Sequence, residues 1–424
     1  MHAAGNYFAT PAGKAIYLAG SHTWNEAQQI GPTAFTFEQF LDFEQAIGGN
    51  FIRYWNFTTS TDAVGTIPDR DLPWVRSSTP GANDGAARWD LTRFNETYFE
   101  NLRSNIIAAG RRHMYVSFML FAAETNYPAS AAGEVFLAEN NVNGVDAGSA
   151  SGEERLGNAA LLAMEEAYVA RVIDAIGDLP NVLYEVTNEA DNTTDAYDWQ
   201  EEIARFLRWY ERHKGIPHHP VGITSPYPVG DPNINATLFQ RASSDWTSPY
   251  GWRDYQGNPP DAPGNKPVIV DTDHTGGAGK DAGWVWQMFT RGYNVAYMDN
   301  MCGSGLPDTV LGNNDGDCAL RVSARLGINT TSRAARLLNL RYMLPHGDLS
   351  STGYVLANPA GGEYAIYAPN GGEFEVDLSG SVGQLGMWWV DVDGGTITAA
   401  GTVQAGGARR FSAPHARDAL LLTP

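Results

Sequence analysis

The stretch Val182-Leu183-Tyr184-Glu185-Val186-Thr187-Asn188-Glu189 sets the fold. It is an apolar run of strand length that closes on an amide and a carboxyl, and residues 159–177 before it and 197–213 after it carry helical periodicity. A strand between two helices is the unit of a parallel sheet, because parallel neighbours need a long crossover. Working outward, similar runs recur at Ala15–Ala19, Phe51–Trp55, Met114–Phe121, Val221–Thr224, Ser244–Thr247, Val268–Val270 and Val295–Met298, which makes eight in all. Phe37, Phe40, Leu41 and Ile47 mark a first helix, and Phe94, Tyr98, Leu102 and Ile106 a second that Gly110 is expected to cap. Residues 318–343 read as a last helix, whereas 251–265 are Gly- and Pro-rich and read as loop. Eight strands alternating with helices predict an α/β fold, a (β/α)₈ TIM barrel over residues 1–345. No Gly-rich nucleotide loop follows the first run at Gly20-Ser21-His22-Thr23-Trp24, which argues against a doubly wound dinucleotide fold.

After Pro345 the pattern changes. Strand-like runs at Gly353–Ala357, Tyr364–Ala368, Phe374–Leu378 and Met387–Val392 are separated by turns at Gly361, Asn370, Gly394 and Gly406. Residues 346–424 therefore read as a small all-β antiparallel sandwich, packed closely on the barrel since no low-complexity linker intervenes.

Composition narrows the function. Of the 424 residues 43% are hydrophobic and only 18% charged, enough apolar material for a large core. A net charge of −20 repels phosphate backbones and anionic lipid, so neither nucleic acid nor membrane is an expected partner. No apolar run reaches the roughly 18 to 20 residues of a membrane span. The start at Met1-His2-Ala3-Ala4 has no basic and apolar leader, leaving an internal protein or one whose leader was removed as the expectations. Cys302 and Cys318 fit no zinc pattern, and either a loop-closing disulfide or two thiols satisfies the sequence. No cofactor is expected, and oligomeric state is left open.

In such a barrel the chemistry sits at the C-terminal strand ends. There the fourth strand offers Asn188-Glu189, a carboxyl that can protonate a leaving oxygen beside an amide that can hold a sugar hydroxyl. The seventh offers Asp271 and Asp273, which share a parity; Asp271, or failing it Asp273, is the expected nucleophile. The alternative readings are helix caps, or a metal site of Asp271, Asp273 and His274 with Asp299. Arg53 on the second strand can hold a carboxylate by charge-assisted hydrogen bonds. His22, Trp24, Trp55, Trp246, Tyr250, Trp252, His274 and Asp299 crowd the expected mouths, and flat aromatic faces suit sugar rings. No H-x-H or H-E-x-x-H spacing supports a catalytic zinc, and Gly303-Ser304-Gly305 is not a nucleophile elbow. The long stretches at 58–90 and 124–153 are expected to wall the cleft.

These residues together resemble clan A glycoside hydrolases, the retaining (β/α)₈ glycosidases. Gly48–Arg53 (G-x-N-x-x-R) resembles that clan's second strand, Asn188-Glu189 its acid/base pair, and Asp245-Trp246-Thr247-Ser248-Pro249-Tyr250 its sixth strand. More narrowly, Gly20–Asn25, Asp271–His274 and the tail resemble apiosidase-like and uncharacterised glycosidases with a C-terminal β domain labelled collagen-binding. The resemblance implies hydrolysis of an O-glycosidic bond in a poly- or oligosaccharide, with Glu189 as acid/base; a non-catalytic carbohydrate-binding protein on the same fold and an inverting hydrolase are the alternatives. The sequence departs from it in two places. The seventh strand carries Asp where the clan usually has Glu, and Ser248-Pro249 stands where a His often precedes the sixth-strand Tyr.

Overall fold

The computed structural model describes residues 1–28, 35–62, 65–122, 132–149, 155–190, 193–225, 238–249, 254–275, 280–306 and 318–424. Eight parallel strands form one sheet: β1 (Ala19–His22), β2 (Phe51–Tyr54), β3 (Tyr115–Ala122), β4 (Val182–Asn188), β5 (Val221–Thr224), β6 (Trp246–Ser248), β7 (Ile269–Asp271) and β8 (Asn294–Met298). The hydrogen-bonded order is β6-β5-β4-β3-β2-β1-β8-β7. A parallel bridge between Thr247 and Val268, with Thr247 N donating to Pro267 O over 3.2 Å, joins β6 to β7 and closes the barrel.

The first strand lies later than expected. Ala15–Ile16 pairs antiparallel with Tyr7–Ala9 in an N-terminal ribbon, and the barrel strand begins only at Ala19. The ribbon serves as the barrel floor, where Phe8, Ile16 and Leu18 pack with Phe51, Leu183, Trp246 and Ile269. Trp246 crosses the space above Gly222, where a Cβ would stand 2.1 Å from its indole. Above that apolar layer the inward positions turn polar, through Arg53, Glu185 and Asp271.

The surrounding helices begin where local chemistry supplies missing acceptors. Helix α1 (Phe37–Ala46) opens on a Thr36/Gln39 capping box. Helix α2 (Glu96–Arg111) runs through Gly110 instead of stopping there, because the left-handed turn falls on His113 (φ 60°). Gly110 instead lets Asn181 approach, a Cβ lying 3.2 Å from its side chain. Asn158 caps α3 (Ala159–Ile176) and Thr193 caps α4 (Thr194–Lys214), which ends on left-handed Gly215. Asp281 caps α5 (Ala282–Thr290), and α6 is Cys318–Leu337. Between β6 and β7 the described residues hold only a four-residue helical turn, Asp254–Gly257. The 58–90 stretch holds an antiparallel hairpin, Trp74–Pro80 with Ala87–Phe94, anchored by buried Trp74 and Trp89. Cys302 and Cys318 form a disulfide, with Cα atoms 5.8 Å apart.

In the tail, β9 (Leu344–Pro345), β10 (Val355–Asn358), β11 (Glu363–Ala368), β13 (Gln384–Asp391), β14 (Thr396–Gln404) and β16 (Asp418–Thr423) build a six-stranded antiparallel sheet in the order β9-β10-β11-β16-β13-β14. The antiparallel pair β12 (Gly372–Asp377) and β15 (Ala408–Ala413) covers one face. Strand alternation divides the burial: Tyr364, Ile366, Leu420 and Leu422 face that pair, while Ala365, Tyr367, Ala419 and Leu421 face the barrel helices with Trp284, Val285 and Phe289. The predicted barrel-plus-sandwich architecture is therefore the one observed. Among the described residues no helix is long and apolar enough to cross a membrane.

Candidate active site

The mouth of the barrel is organised by one guanidinium. Arg53 points inward from β2 and is 3% exposed. Its Nη2 donates to Glu185 Oε1 (2.5 Å) and Asn188 Oδ1 (2.7 Å), and its Nε to Glu185 Oε2 (3.0 Å). Its Nη1 faces Asp271 at 3.1 Å and Asp273 at 3.8 Å. The guanidinium carbon lies 4.5 Å from the centre of the Trp55 ring, on which His22 also stacks.

Asp271 is occupied by the protein itself. Oδ1 meets His22 Nε2 at 3.0 Å and accepts from the Asp273 backbone N–H at 2.8 Å. Burial alone would raise its pKa, but His22 and Arg53 outweigh it and hold the carboxyl well below the usual carboxylate range. Burial correspondingly opposes a charge on His22, and Asp271 overcomes it, so the imidazole pKa is raised. Asp273, the next inward group, is pushed up to about 6 by burial and then by the neighbouring Asp271 charge.

Glu189 follows β4 in the left-handed region (φ 47°), which turns its carboxyl back toward β7. Glu189, Asp273 and His274 bring one ligand atom each within 4.8 Å of one another. Burial, and then Asp273, raises Glu189 to about 8. His274 is lowered to about 3 by burial and by Arg53, so it is a neutral imidazole, with Nε2 donating to Asn188 Oδ1 over 2.9 Å. With its oxygen taken by both His274 and Arg53, Asn188 has its amide hydrogens left for the cleft. A cation between Glu189 and Asp273 would face the Arg53 guanidinium 3.8 Å from Asp273, which disfavours metal binding there.

The mouth thus gathers His22, Arg53, Trp55, Asn188, Glu189, Asp271, Asp273 and His274. Trp24, also left-handed (φ 68°), is partly exposed with its ring 5.8 Å from that of Trp55, so among the described residues its indole reaches the opening. Two expectations are corrected. Trp246 is at the start of its three-residue strand and therefore fills the floor, not the mouth. Asp299 is fully buried in an ion pair with Arg325 at 2.6 Å and also caps the Met301 N–H, leaving it no free face for a sugar or metal. Tyr250 and Trp252 lie outside the described residues. Glu185 was not singled out from the sequence; its signal is a lone acid inside an apolar strand, which must have a buried partner.

Residues 345–422 match a family described as "Putative collagen-binding domain of a collagenase". No curated protein matches the chain. Among solved structures, a glycoside hydrolase family 5 protein from Bacteroides vulgatus is 14% identical, with a TM-score of 0.63 over 100% of this chain and 92% of that one. An endo-1,4-beta-mannanase from Rhizomucor miehei is 14% identical, with a TM-score of 0.51 over 78% of this chain and 100% of that one. The catalytic domain of GH30 xylanase C from Talaromyces cellulolyticus is 11% identical, with a TM-score of 0.51 over 98% of this chain and 99% of that one. The chain shares the fold of these solved structures, a (β/α)₈ barrel, which here is followed by an antiparallel β domain.

Proposed function

We propose that the protein hydrolyses O-glycosidic bonds of an oligo- or polysaccharide by a retaining mechanism, with the barrel (1–345) catalytic and the β domain (346–424) a structural support. The observation that carries this reading is the approach of Glu189 and Asp273 to within 4.8 Å. Retaining glycosidases hold their two carboxyls about 5 to 5.5 Å apart, whereas inverting ones leave about 6.5 to 9.5 Å for a water. Asp273, not Asp271, takes the nucleophile role, since both Asp271 oxygens face His22 and Arg53.

In the first step Asp273 forms a bond to the anomeric carbon while Glu189 gives its proton to the departing oxygen. In the second, Glu189 takes a proton from a water that displaces Asp273. Asp is one methylene shorter than Glu, and the backbone makes up the reach. The chain turns tightly after β7, with the His274 N–H (3.2 Å) and the Thr275 hydroxyl (2.8 Å) both donating to Asp271 O. Asn188 offers its amide hydrogens to a sugar hydroxyl, and Trp24 a ring face.

The test is turnover of a panel of 4-nitrophenyl glycosides and plant polysaccharides by Glu189→Gln and Asp273→Asn. Each variant is expected to lose about 10²- to 10⁴-fold in kcat while folding normally, and proton NMR of the first product is expected to show the substrate's anomeric configuration. Full activity in Asp273→Asn, with loss in Asp271→Asn, would return the nucleophile to Asp271.

A further inference from the structure

Glu185 is a buried inward acid below the mouth that the two-carboxylate mechanism leaves without a task. It faces the barrel axis from the middle of β4, two residues after floor-packed Leu183, and is 1% exposed. Both of its oxygens are taken by Arg53, at 3.0 Å from Nε and 2.5 Å from Nη2. A guanidinium is planar and rigid, so anchoring Nε and Nη2 on one carboxylate also fixes where Nη1 points. Here it points at Asp271 (3.1 Å) and Asp273 (3.8 Å). Released from Glu185, the same cation would be balanced by Asp271 alone and would present more positive charge to the reacting pair.

The groups that face Asp273 are His22 from β1, Arg53 from β2, Glu185 and Glu189 from β4, and Asp271 and His274 from the β7 end. His22 is matched by Asp271, and His274 is neutral. Arg53 is therefore the cation whose effective charge decides how readily Asp273 and Glu189 give up the proton they share, and Glu185 is what attenuates it. Resting on the assignment of Asp273 and Glu189 above, we infer that Glu185 is a positioning residue that both aims Arg53 and limits the positive charge it presents to the Asp273–Glu189 pair.

The experiment is a carbon-13 NMR titration of the full chain labelled at Asp and Glu side-chain carboxyls, with Asp273→Asn and Glu189→Gln identifying the two signals. Glu185→Gln keeps the shape and removes the charge. It is expected to move the first ionisation of the pair to lower pH by about 1. Glu185→Asp keeps the charge and shortens the reach. It is expected to leave that ionisation in place while kcat on the fastest 4-nitrophenyl glycoside falls at unchanged KM. An unmoved ionisation in Glu185→Gln overturns the inference. Should that variant not fold, an unchanged kcat in Glu185→Asp overturns it instead. A fully active Asp273→Asn defeats the two-carboxylate reading separately, and the titration still reads the charge effect of Glu185.

Discussion

Glu189 and Asp273 are two acids held together where little water reaches them, so each ionisation makes the next harder. Burial raises both, with the Asp271 charge adding to it at Asp273, which reaches about 6, and the Asp273 charge adding to it at Glu189, which reaches about 8. In the free enzyme the active form is then Asp273 ionised and Glu189 protonated. As pH falls, activity is lost when Asp273 takes up a proton, and as pH rises it is lost when Glu189 gives one up. The profile of kcat/KM against pH is therefore expected to be a bell with limbs near 6 and 8, values that belong to the pair. A profile flat from pH 4 to 9 would refute this proton-sharing account. Most of the site was legible in the sequence because Asn188, Glu189, Asp271, Asp273 and His274 all close apolar runs. Glu185 was not, since it lies inside such a run and its partner is 132 residues away. Trp246 and Asp299 misled for a related reason. In strands of three to five residues an error of one or two positions exchanges floor for mouth, or the cleft side for the side facing α6.

At the level of elements, eight apolar runs sufficed to predict the barrel because each parallel strand is buried on both faces. The first strand was displaced because Ala15–Ile16 and Ala19–His22 form one hydrophobic stretch, and only pairing with Tyr7–Ala9 separates them. The hairpin at Trp74–Phe94 escaped notice because its strands are irregular, with register shifts after Trp74 and Arg76. Gly222 shows what packing requires of β5. Adding a methyl there meets the Trp246 indole at 2.1 Å, and the indole is itself enclosed in the floor layer. Gly222→Ala is expected to destabilise the protein by about 1 to 3 kcal/mol, read as a lower midpoint in urea unfolding. Gly144→Ala, whose Cβ would meet nothing within 4 Å, tests left-handed backbone strain alone.

Across the whole molecule, barrel and tail share one apolar cluster, in which Tyr367, Val390 and Leu421 of the sheet meet Val285, Phe289 and Ile328 of α5 and α6. Arg417 adds a polar tie, bridging Asp281 at the start of α5 (2.5 Å) and Asp393 of the tail. Deleting residues 346–424 is accordingly expected to yield an aggregating barrel, seen as loss of soluble protein and a lower thermal midpoint. A soluble, fully active truncation would instead make the tail an independent appendage. The distribution of backbone strain has a further consequence. Among the described residues four that are not glycine adopt positive φ, and three of them, Trp24, Glu189 and Met301, lie within three residues of the C-terminal ends of β1, β4 and β8. Such residues cost on the order of 1 to 3 kcal/mol each, and taking the charges paired with Arg53 out of water adds a desolvation cost. The floor and the tail hold a reserve of stability that the mouth draws down. Laboratory evolution for heat resistance alone would relax those three turns first, and the better it succeeded the less of the working mouth it would leave.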